Sequence, residues 1–304
     1  MRALIAAIAI VASACGRPAP HAPPFDEAAH RTEVEAWRAK HEADYRREWV
    51  TIAGLYPLKN GRNTVGSSAA SDIPLPSPVP PLVGHFLVDN DTVQFEPAKG
   101  AAVRLRDQPV NAITVVHGGS VKTPGALAVG DVQFFVHPTG GRRTIRVRDP
   151  NGPVARGFLG FAWFPIDTQY RVVGRFIKDE TPNTLKVPNT IGDVDIYATD
   201  GVVEFTLLGQ TLRLRPFTTR PKRFYFVFRD GSSGHETYET GRFFYADLKD
   251  DGSVVLDFNQ AYNPPCAFNP YTTCPIPLRE NRLTLKILAG EKAYPVKVEQ
   301  AVVR

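Results

Sequence analysis

Apolar and polar residues alternate with a period of two along most of the chain, which is the pattern of strands that bury one face. The alternating segments are residues 85–88, 92–95, 132–136, 144–148, 202–208, 224–228, 254–258 and 283–288. Gly, Asn, Asp and Pro interrupt the chain between nearly all of them, as turns require. This pattern predicts an all-β fold, mostly an antiparallel β-sandwich or barrel.

Residues 25–48 follow a different period. Val34, Trp37, His41 and Tyr45 recur at helical spacing, with charged residues between them. The spacing predicts one N-terminal α-helix, and the narrow aromatic stripe predicts that this helix docks on the β body.

The first residues have the layout of a secretory signal. Arg2 precedes an apolar stretch at residues 3–14, and Cys15 follows at once. About 12 apolar residues are too few for a permanent membrane span, which needs roughly 20. Residues 11–15 also resemble the lipobox of bacterial lipoproteins, although Ala12 stands where that group usually has Leu. The resemblance implies a lipidated Cys15, a signal peptide at residues 1–14 and membrane attachment through lipid.

A Pro/Ala-rich stretch at residues 15–24 has the composition of a tether. An aromatic-rich junction at residues 149–165 then divides the β region. We therefore predict one β subdomain at residues 49–150 and a second at residues 151–304. The expected location is the periplasm or cell envelope of an exporting cell.

Composition narrows the classes of partner. The chain has 304 residues, a formal charge of +5 and 22% charged residues. The positive charges are spread out, whereas nucleic-acid binding needs a clustered basic face, so no nucleic-acid partner is predicted. The seven His residues are scattered along the sequence. We therefore predict no metal site and no cofactor.

Three cysteines leave one unpaired if two form a disulfide. With Cys15 lipidated, Cys266 and Cys274 remain, separated by seven turn-prone residues. In an oxidising compartment this spacing predicts a disulfide between them. The rival interpretation, a two-cysteine metal site, lacks nearby His ligands.

Residues 54–76, followed by Gly84, His85 and Phe86, resemble the opening of a forkhead-associated domain. Those β-sandwich domains read phosphothreonine with an Arg where this chain has Ser67. The resemblance therefore implies the scaffold of residues 49–150 without its phosphothreonine-reading residues.

A more specific resemblance lies at residues 257–291, with its run Asn263-Pro264-Pro265-Cys266 and the later Asn281-Arg282-Leu283. Together with upstream motifs such as residues 163–165, 228–234 and 241–243, it resembles the bacterial domain-of-unknown-function family number 1684. The likeness covers about residues 45–292. It implies an envelope protein, frequently a lipoprotein, and no particular activity.

Polar residues are dense beside the turns of this region. The candidate ligand-binding residues are Asp230, Tyr238, Arg242, Asp257, Asn259, Asn263, Arg282 and Glu291. Prolines and a disulfide would make the segment stiff, which serves a preorganised ligand site and a structural loop equally well. Our hypothesis is that Arg242 and Arg282 face one cavity with Asp257, Asn259 and Glu291.

Two function classes fit these residues. The first is a non-catalytic binding module for a small polar, anionic or carbohydrate ligand. The second is a hydrolase of an envelope polymer or small ester, with Asp257 or Glu291 in acid–base chemistry. The segment Gly231-Ser232-Ser233-Gly234 is not a nucleophile elbow and has the composition of a hairpin turn.

Overall fold

A computed structural model describes residues 25–117, 120–121, 125–139 and 142–299. The predicted signal peptide, the tether and Cys15 lie outside these residues. Within them the protein consists of antiparallel β-sheets and one long N-terminal helix. The predicted all-β class is therefore confirmed.

Helix α1 spans Glu27–Glu48. Asp26 caps its start, because the Asp26 carboxylate accepts hydrogen bonds from the backbone of Ala28 at 2.9 Å and Ala29 at 3.1 Å. The predicted aromatic stripe faces the second β module, where Tyr45 donates its hydroxyl to the carbonyl of Asn263 at 3.0 Å. No helix within the described part of the chain is long and apolar enough to cross a membrane.

The first β module holds two six-stranded sheets, ordered β1-β12-β11-β10-β6-β7 and β3-β2-β4-β5-β8-β9. Its strands are β1 (Ile52–Pro57), β2 (Gly61–Gly66), β3 (Ile73–Pro74), β4 (Gly84–Asp89), β5 (Thr92–Pro97), β6 (Arg104–Leu105), β7 (Gln108–Pro109), β8 (Ile113–His117), β9 (Ser120–Val121), β10 (Leu127–Val129), β11 (Val132–Thr139) and β12 (Arg142–Arg148). Alternate residues point inward and meet in one apolar core, with Phe86, Phe95 and Phe134 in mutual contact. The resemblance of this region to forkhead-associated domains stays a prediction.

A short helix α2 (Pro153–Gly157) and a single 3-10 turn (Thr168–Tyr170) connect the first β module to the second. The second module has a four-stranded sheet, β15-β14-β13-β19, and a three-stranded sheet, β16-β17-β18. Its strands are β13 (Arg171–Pro188), β14 (Val194–Leu207), β15 (Gln210–Leu214), β16 (Phe217–Arg220), β17 (Arg223–Phe228), β18 (Arg242–Asp247) and β19 (Ser253–Asp257). Phenylalanines from both sheets fill its core, including Phe205, Phe226 and Phe244, together with Phe258 directly after β19.

A third apolar cluster joins the end of helix α1 to the second module and to the connection between the two modules. Tyr45, Val50, Phe158 and Phe268 pack together in it. The side-chain amide of Asn269 adds hydrogen bonds to the carbonyls of Trp49, at 3.0 Å, and Ile52, at 2.7 Å. The C-terminal polar segment therefore holds the end of α1 and the start of β1 in place.

Candidate functional site

Asp230 and Arg242, two predicted ligand residues, form an internal ion pair. Nη2 of Arg242 lies 2.5 Å from Oδ2 of Asp230, and neither side chain is exposed to solvent. Arg242 also donates to the backbone carbonyls of Ile287, at 2.8 Å, and Ala289. Ser232 donates its backbone N–H to the other Asp230 oxygen at 2.6 Å. The network is closed to solvent, so its polar groups stabilise the loop and do not face a ligand.

Glu291 and Asn263 form a second buried pair. The carboxylate of Glu291 accepts the backbone N–H and the side-chain amide of Asn263, each at 2.8 Å. Glu291 is 1% exposed. Burial raises the pKa of Glu291 well above its ordinary value, against the opposing effect of the Asn263 hydrogen bonds and of Arg242. The buried position leaves Glu291 out of contact with a dissolved substrate.

Asp257 lies at the edge of a cavity. Its Oδ2 lies 2.6 Å from Nε2 of His30 on helix α1, and its Oδ1 accepts the backbone and side-chain N–H of Asn259 at 3.0 Å and 2.9 Å. Asn259 is fully buried and also exchanges hydrogen bonds with the backbone of Asp167. Asn259 therefore positions Asp257, and of these two residues only Asp257 borders open space.

The remaining candidates lie elsewhere. Arg282 is exposed and lines a cavity of 280 Å³ together with Arg229 and Glu239. Tyr238 borders another cavity, of 210 Å³, beside Tyr294. We had hypothesised that Arg242 and Arg282 face one cavity with Asp257, Asn259 and Glu291. The structure does not bring these five residues to one cavity. The sequence of a segment rich in polar residues does not show which of its side chains form hydrogen bonds with one another in the protein interior.

Cys266 and Cys274 are buried side by side as thiols. The Cys274 sulfur accepts the backbone N–H of Cys266 at 3.3 Å. Burial, followed by the neighbouring Cys266 thiol, raises the pKa of Cys274 well above its ordinary value. The predicted disulfide stays a prediction.

Helix α1 covers two adjoining cavities on the second module, each of 410 Å³. They share Tyr245 and Tyr262, and we call them together the helix groove. The aromatic half is lined by His41, Tyr45, Trp49, Tyr197, Tyr225, Phe243, Tyr245, Tyr262 and Cys274, among others. The polar half is lined by His30, Glu33, Trp37, Arg171, Arg223, Tyr245, Asp247, Lys249, Asp257, Gln260 and Tyr262, among others.

Tyr245 is the exposed platform of this groove. Its ring is stacked on that of Tyr225, with centroids 4.7 Å apart and an interplanar angle of 20°. It is 41% exposed, although strand β18 buries most of its other residues. Arg223 lies with its guanidinium 5.0 Å from the Tyr245 ring and forms an ion pair with Asp247 at 2.8 Å. A flat aromatic surface therefore lies beside charged hydrogen-bonding groups.

His41 contributes a neutral polar group to the aromatic half. Its ring is stacked on Trp37 at 4.8 Å and lies 4.5 Å from that of Tyr262. Burial lowers the pKa of His41 to about 4, so the ring is uncharged near neutral pH. Within the described ranges its Nε2 has no hydrogen-bond partner, although that atom is buried.

Tyrosines in the groove are neutral as well. Burial raises the pKa of Tyr45, Tyr225 and Tyr262 well above the ordinary value, and it raises that of Tyr197 to about 12. The residues that the structure describes contain no group of three or more His, Cys, Asp or Glu side chains placed to hold a metal ion. The groove is thus suited to stacking and hydrogen bonding with an uncharged polar ligand.

Sequence reasoning did not identify most of this groove. His30 and Asp257 are 227 positions apart in the chain, and Tyr245 lies outside every segment that the alternating pattern predicts as a strand. One signal was available: Trp37, His41 and Tyr45 on the predicted helix stripe. We had interpreted this stripe only as a docking surface, whereas it also forms one wall of the groove.

Residues 156–292 match the model of the family described as "Protein of unknown function (DUF1684)". Residues 45–155, which the sequence resemblance also included, lie outside that match. A solution NMR structure of an uncharacterized protein from Haloarcula marismortui is 31% identical; the match covers 46% of this chain and 80% of that one, with a TM-score of 0.38. No curated protein matches the chain.

Proposed function

We propose that this chain is a carbohydrate-binding protein of the cell envelope. The premise is that residues 156–292 belong to the DUF1684 family of proteins of unknown function. In this proposal it is exported and anchored through a lipid on Cys15, and it holds its ligand in the helix groove. The signal-like residues 1–14 are the basis for export.

The exposed ring of Tyr245 is the observation that carries the proposal. A pyranose ring has apolar C–H faces and a rim of hydroxyls, so it packs on an aromatic face while its hydroxyls reach polar groups. Tyr245 offers such a face, backed by Tyr225. Asp247, Arg223 and Asp257 lie around it in the polar half.

Charge and volume favour a neutral polyhydroxyl ligand over a strongly anionic one. Arg223 is already paired with Asp247 at 2.8 Å, and His41 is uncharged near neutral pH. The two cavities of 410 Å³ are each within the range of about 300–1,000 Å³ typical of small-molecule sites. A mono- or disaccharide unit is the ligand class that best combines stacking with several hydrogen bonds.

The surroundings of the acidic side chains in the groove fit a binding site better than a hydrolytic site. Asp247 forms an ion pair with Arg223, and Asp257 forms hydrogen bonds with His30 and Asn259, so both carboxylates already have partners within the protein. Glu291, the other acid considered for hydrolysis, is buried at 1% exposure. No observation in the groove favours the hydrolase alternative.

Intrinsic fluorescence tests the proposal, because Trp37 and Trp49 line the groove. Glucose, N-acetylglucosamine, their β-linked disaccharides and galacturonate form a suitable panel. We expect a saturable fluorescence change with at least one neutral member of the panel. An unchanged signal across the panel, with no heat of binding by calorimetry, contradicts the proposal.

A further inference from the structure

Strand β12 carries arginines on the side of its sheet that faces away from the core of the first module. Ile145 and Val147 point into that core. Because side chains alternate along a strand, Arg146 and Arg148 lie together on the opposite side, which we call the outer face of β12. Phe135 of β11 is paired with Arg146 and therefore shares the outer face.

Arg146 is buried on the outer face although it is charged. It is 6% exposed, and its Cζ lies 5.9 Å from the centroid of the Trp49 ring. Its Nη2 lies 2.8 Å from Nε2 of His137, whereas its Nε is buried and has no hydrogen-bond partner within the described ranges. Burial, followed by the charge of Arg148, lowers the pKa of Arg146 to about 10. The guanidinium therefore still carries its charge near neutral pH.

Arg148 adds a second positive charge beside the first. It is half-buried, and its guanidinium lies 5.0 Å from the Phe135 ring. Its Nε is also buried, with no hydrogen-bond partner among the described residues. Burial, followed by Arg146 and Arg148, lowers the pKa of His137 to about 4, so that ring is neutral near pH 7. The outer face thus holds two close cations and a neutral imidazole.

The acids of the protein form their contacts elsewhere. No carboxylate within the described ranges forms an ion pair with Arg146 or Arg148. The segments outside those ranges contain no Asp or Glu in their sequence. Glu48 acts on Arg148 from a distance, but its carboxylate accepts a hydrogen bond from Arg47 at 2.8 Å.

Two neighbours on β12 show that this lack of an acid is local. Arg142, also on the outer face, forms an ion pair with Asp193 of the second module at 2.7 Å. Asp149 follows Arg148 directly, but its carboxylate accepts the backbone N–H of Asn151 at 2.8 Å. A buried cation without a counter-ion is strongly unfavourable, so a bound anion would supply the charge that the protein itself does not.

We propose that Arg146 and Arg148 bind a small dianion of the phosphate class on the outer face of β12. Each planar guanidinium presents a fork of N–H donors that matches two phosphate oxygens, and a guanidinium that packs on an aromatic ring keeps those in-plane donors available. Two cations match one dianion better than a single carboxylate.

Burial limits the size of this anion. Arg146 is too deeply buried for a bulky headgroup, whereas half-buried Arg148 leaves access from solvent. Neither arginine lines the helix groove, so phosphate binding stands or fails independently of carbohydrate binding.

Calorimetric titration with inorganic phosphate tests this assignment, at constant ionic strength and about pH 8, where a phosphate group is mostly dianionic. Arg146→Met and Arg148→Met each remove one of the two charges. Arg143→Met is the matched control, because Arg143 is an arginine of the same strand whose side chain alternates to the other side. Acetate supplies a monoanion for comparison.

We expect one phosphate per chain, with affinity at least about tenfold weaker in Arg146→Met and in Arg148→Met. Arg143→Met should bind like the wild type, and acetate should bind at least about tenfold more weakly than phosphate. No phosphate binding to folded wild type, or equal binding in Arg146→Met, overturns the proposal.

Thermal unfolding separates an anion site from a purely structural arginine. Phosphate should raise the unfolding temperature of the wild type but not that of Arg146→Met. Without phosphate, Arg146→Met should unfold at the same temperature as the wild type or higher, because it no longer buries an unpaired charge. If Arg146→Met does not fold, Arg148→Met provides the same comparison at a half-buried position. A variant that is destabilised equally with and without phosphate contradicts the proposal.

Discussion

Arg242 Nη2 lies 2.5 Å from Asp230 Oδ2, and both side chains are completely buried. Three backbone carbonyls, those of Ile287, Ala289 and Glu291, surround the same guanidinium. The pair therefore fixes the C-terminal segment against strands β17 and β18. Glu291 in turn accepts the backbone and side-chain N–H of Asn263, whose carbonyl accepts the hydroxyl of Tyr45 on helix α1.

Asp230→Asn should destabilise the fold strongly. The change leaves the Arg242 charge buried without its partner, which costs on the order of 3–5 kcal/mol. Urea unfolding measures the loss. The exposed pair Arg213–Glu204 is the matched control, since Arg213→Met should cost about 0–1 kcal/mol. Equal effects of the two substitutions would contradict a structural role for the buried pair.

Arg282→Ala should leave stability nearly unchanged, within about 0.5 kcal/mol, because Arg282 is exposed and lines an open cavity beside Arg229. Thermal unfolding of variant and wild type decides this. A loss comparable with that of Asp230→Asn would mean that Arg282 carries a buried, paired charge, which would contradict its exposed position.

Glu291 should make stability fall as pH rises. Its folded pKa is raised well above the ordinary 4.5, so the folded protein binds more protons than the unfolded chain between those two values. The stabilising contribution is fully present below about pH 4.5 and declines above it, by at most about 1.4 kcal/mol per pH unit. Glu291→Gln removes this titration.

Denaturant unfolding at several pH values between about 5 and 8 compares wild type with Glu291→Gln. We expect the wild type to lose stability relative to the variant across this interval. A constant difference between the two proteins would mean that Glu291 does not titrate there.

Most of the strand pattern could be predicted from the sequence, because an alternating segment shows which face is buried. Residues 283–288 are an exception, since they alternate but form no strand. Ile145 and Val147 do point into the core of the first module. The site could not be predicted, because the identity of a polar residue does not show whether it forms hydrogen bonds with water, with a ligand or with the protein itself. Asp230, Asn263 and Glu291 form hydrogen bonds or ion pairs inside the protein. Tyr245, on strand β18, is by contrast 41% exposed.

Cys266 and Cys274 should be linked by a disulfide in the exported protein. The structure places the Cys274 sulfur 3.3 Å from the backbone nitrogen of Cys266, and the loop between the two residues is short. Closing so small a loop stabilises the fold by about 2–3 kcal/mol at most. Peptide mapping without reduction checks the bond, with a Cys266→Ser/Cys274→Ser protein as the control for stability. Recovery of both thiols from the oxidised, exported protein would contradict the prediction.

The most direct test of carbohydrate binding is titration of wild type, Tyr245→Phe and Tyr245→Ala with the saccharide panel, followed by tryptophan fluorescence. Tyr245→Phe keeps the stacking face and should bind within about threefold of wild type, whereas Tyr245→Ala should lose at least about tenfold in affinity. Tyr271→Ala, at a half-buried tyrosine that does not line the groove, should bind like wild type. Saturable binding that disappears in Tyr245→Ala alone is the predicted result. No saturable binding to wild type, or equal binding in Tyr245→Ala, would contradict the assignment of the helix groove.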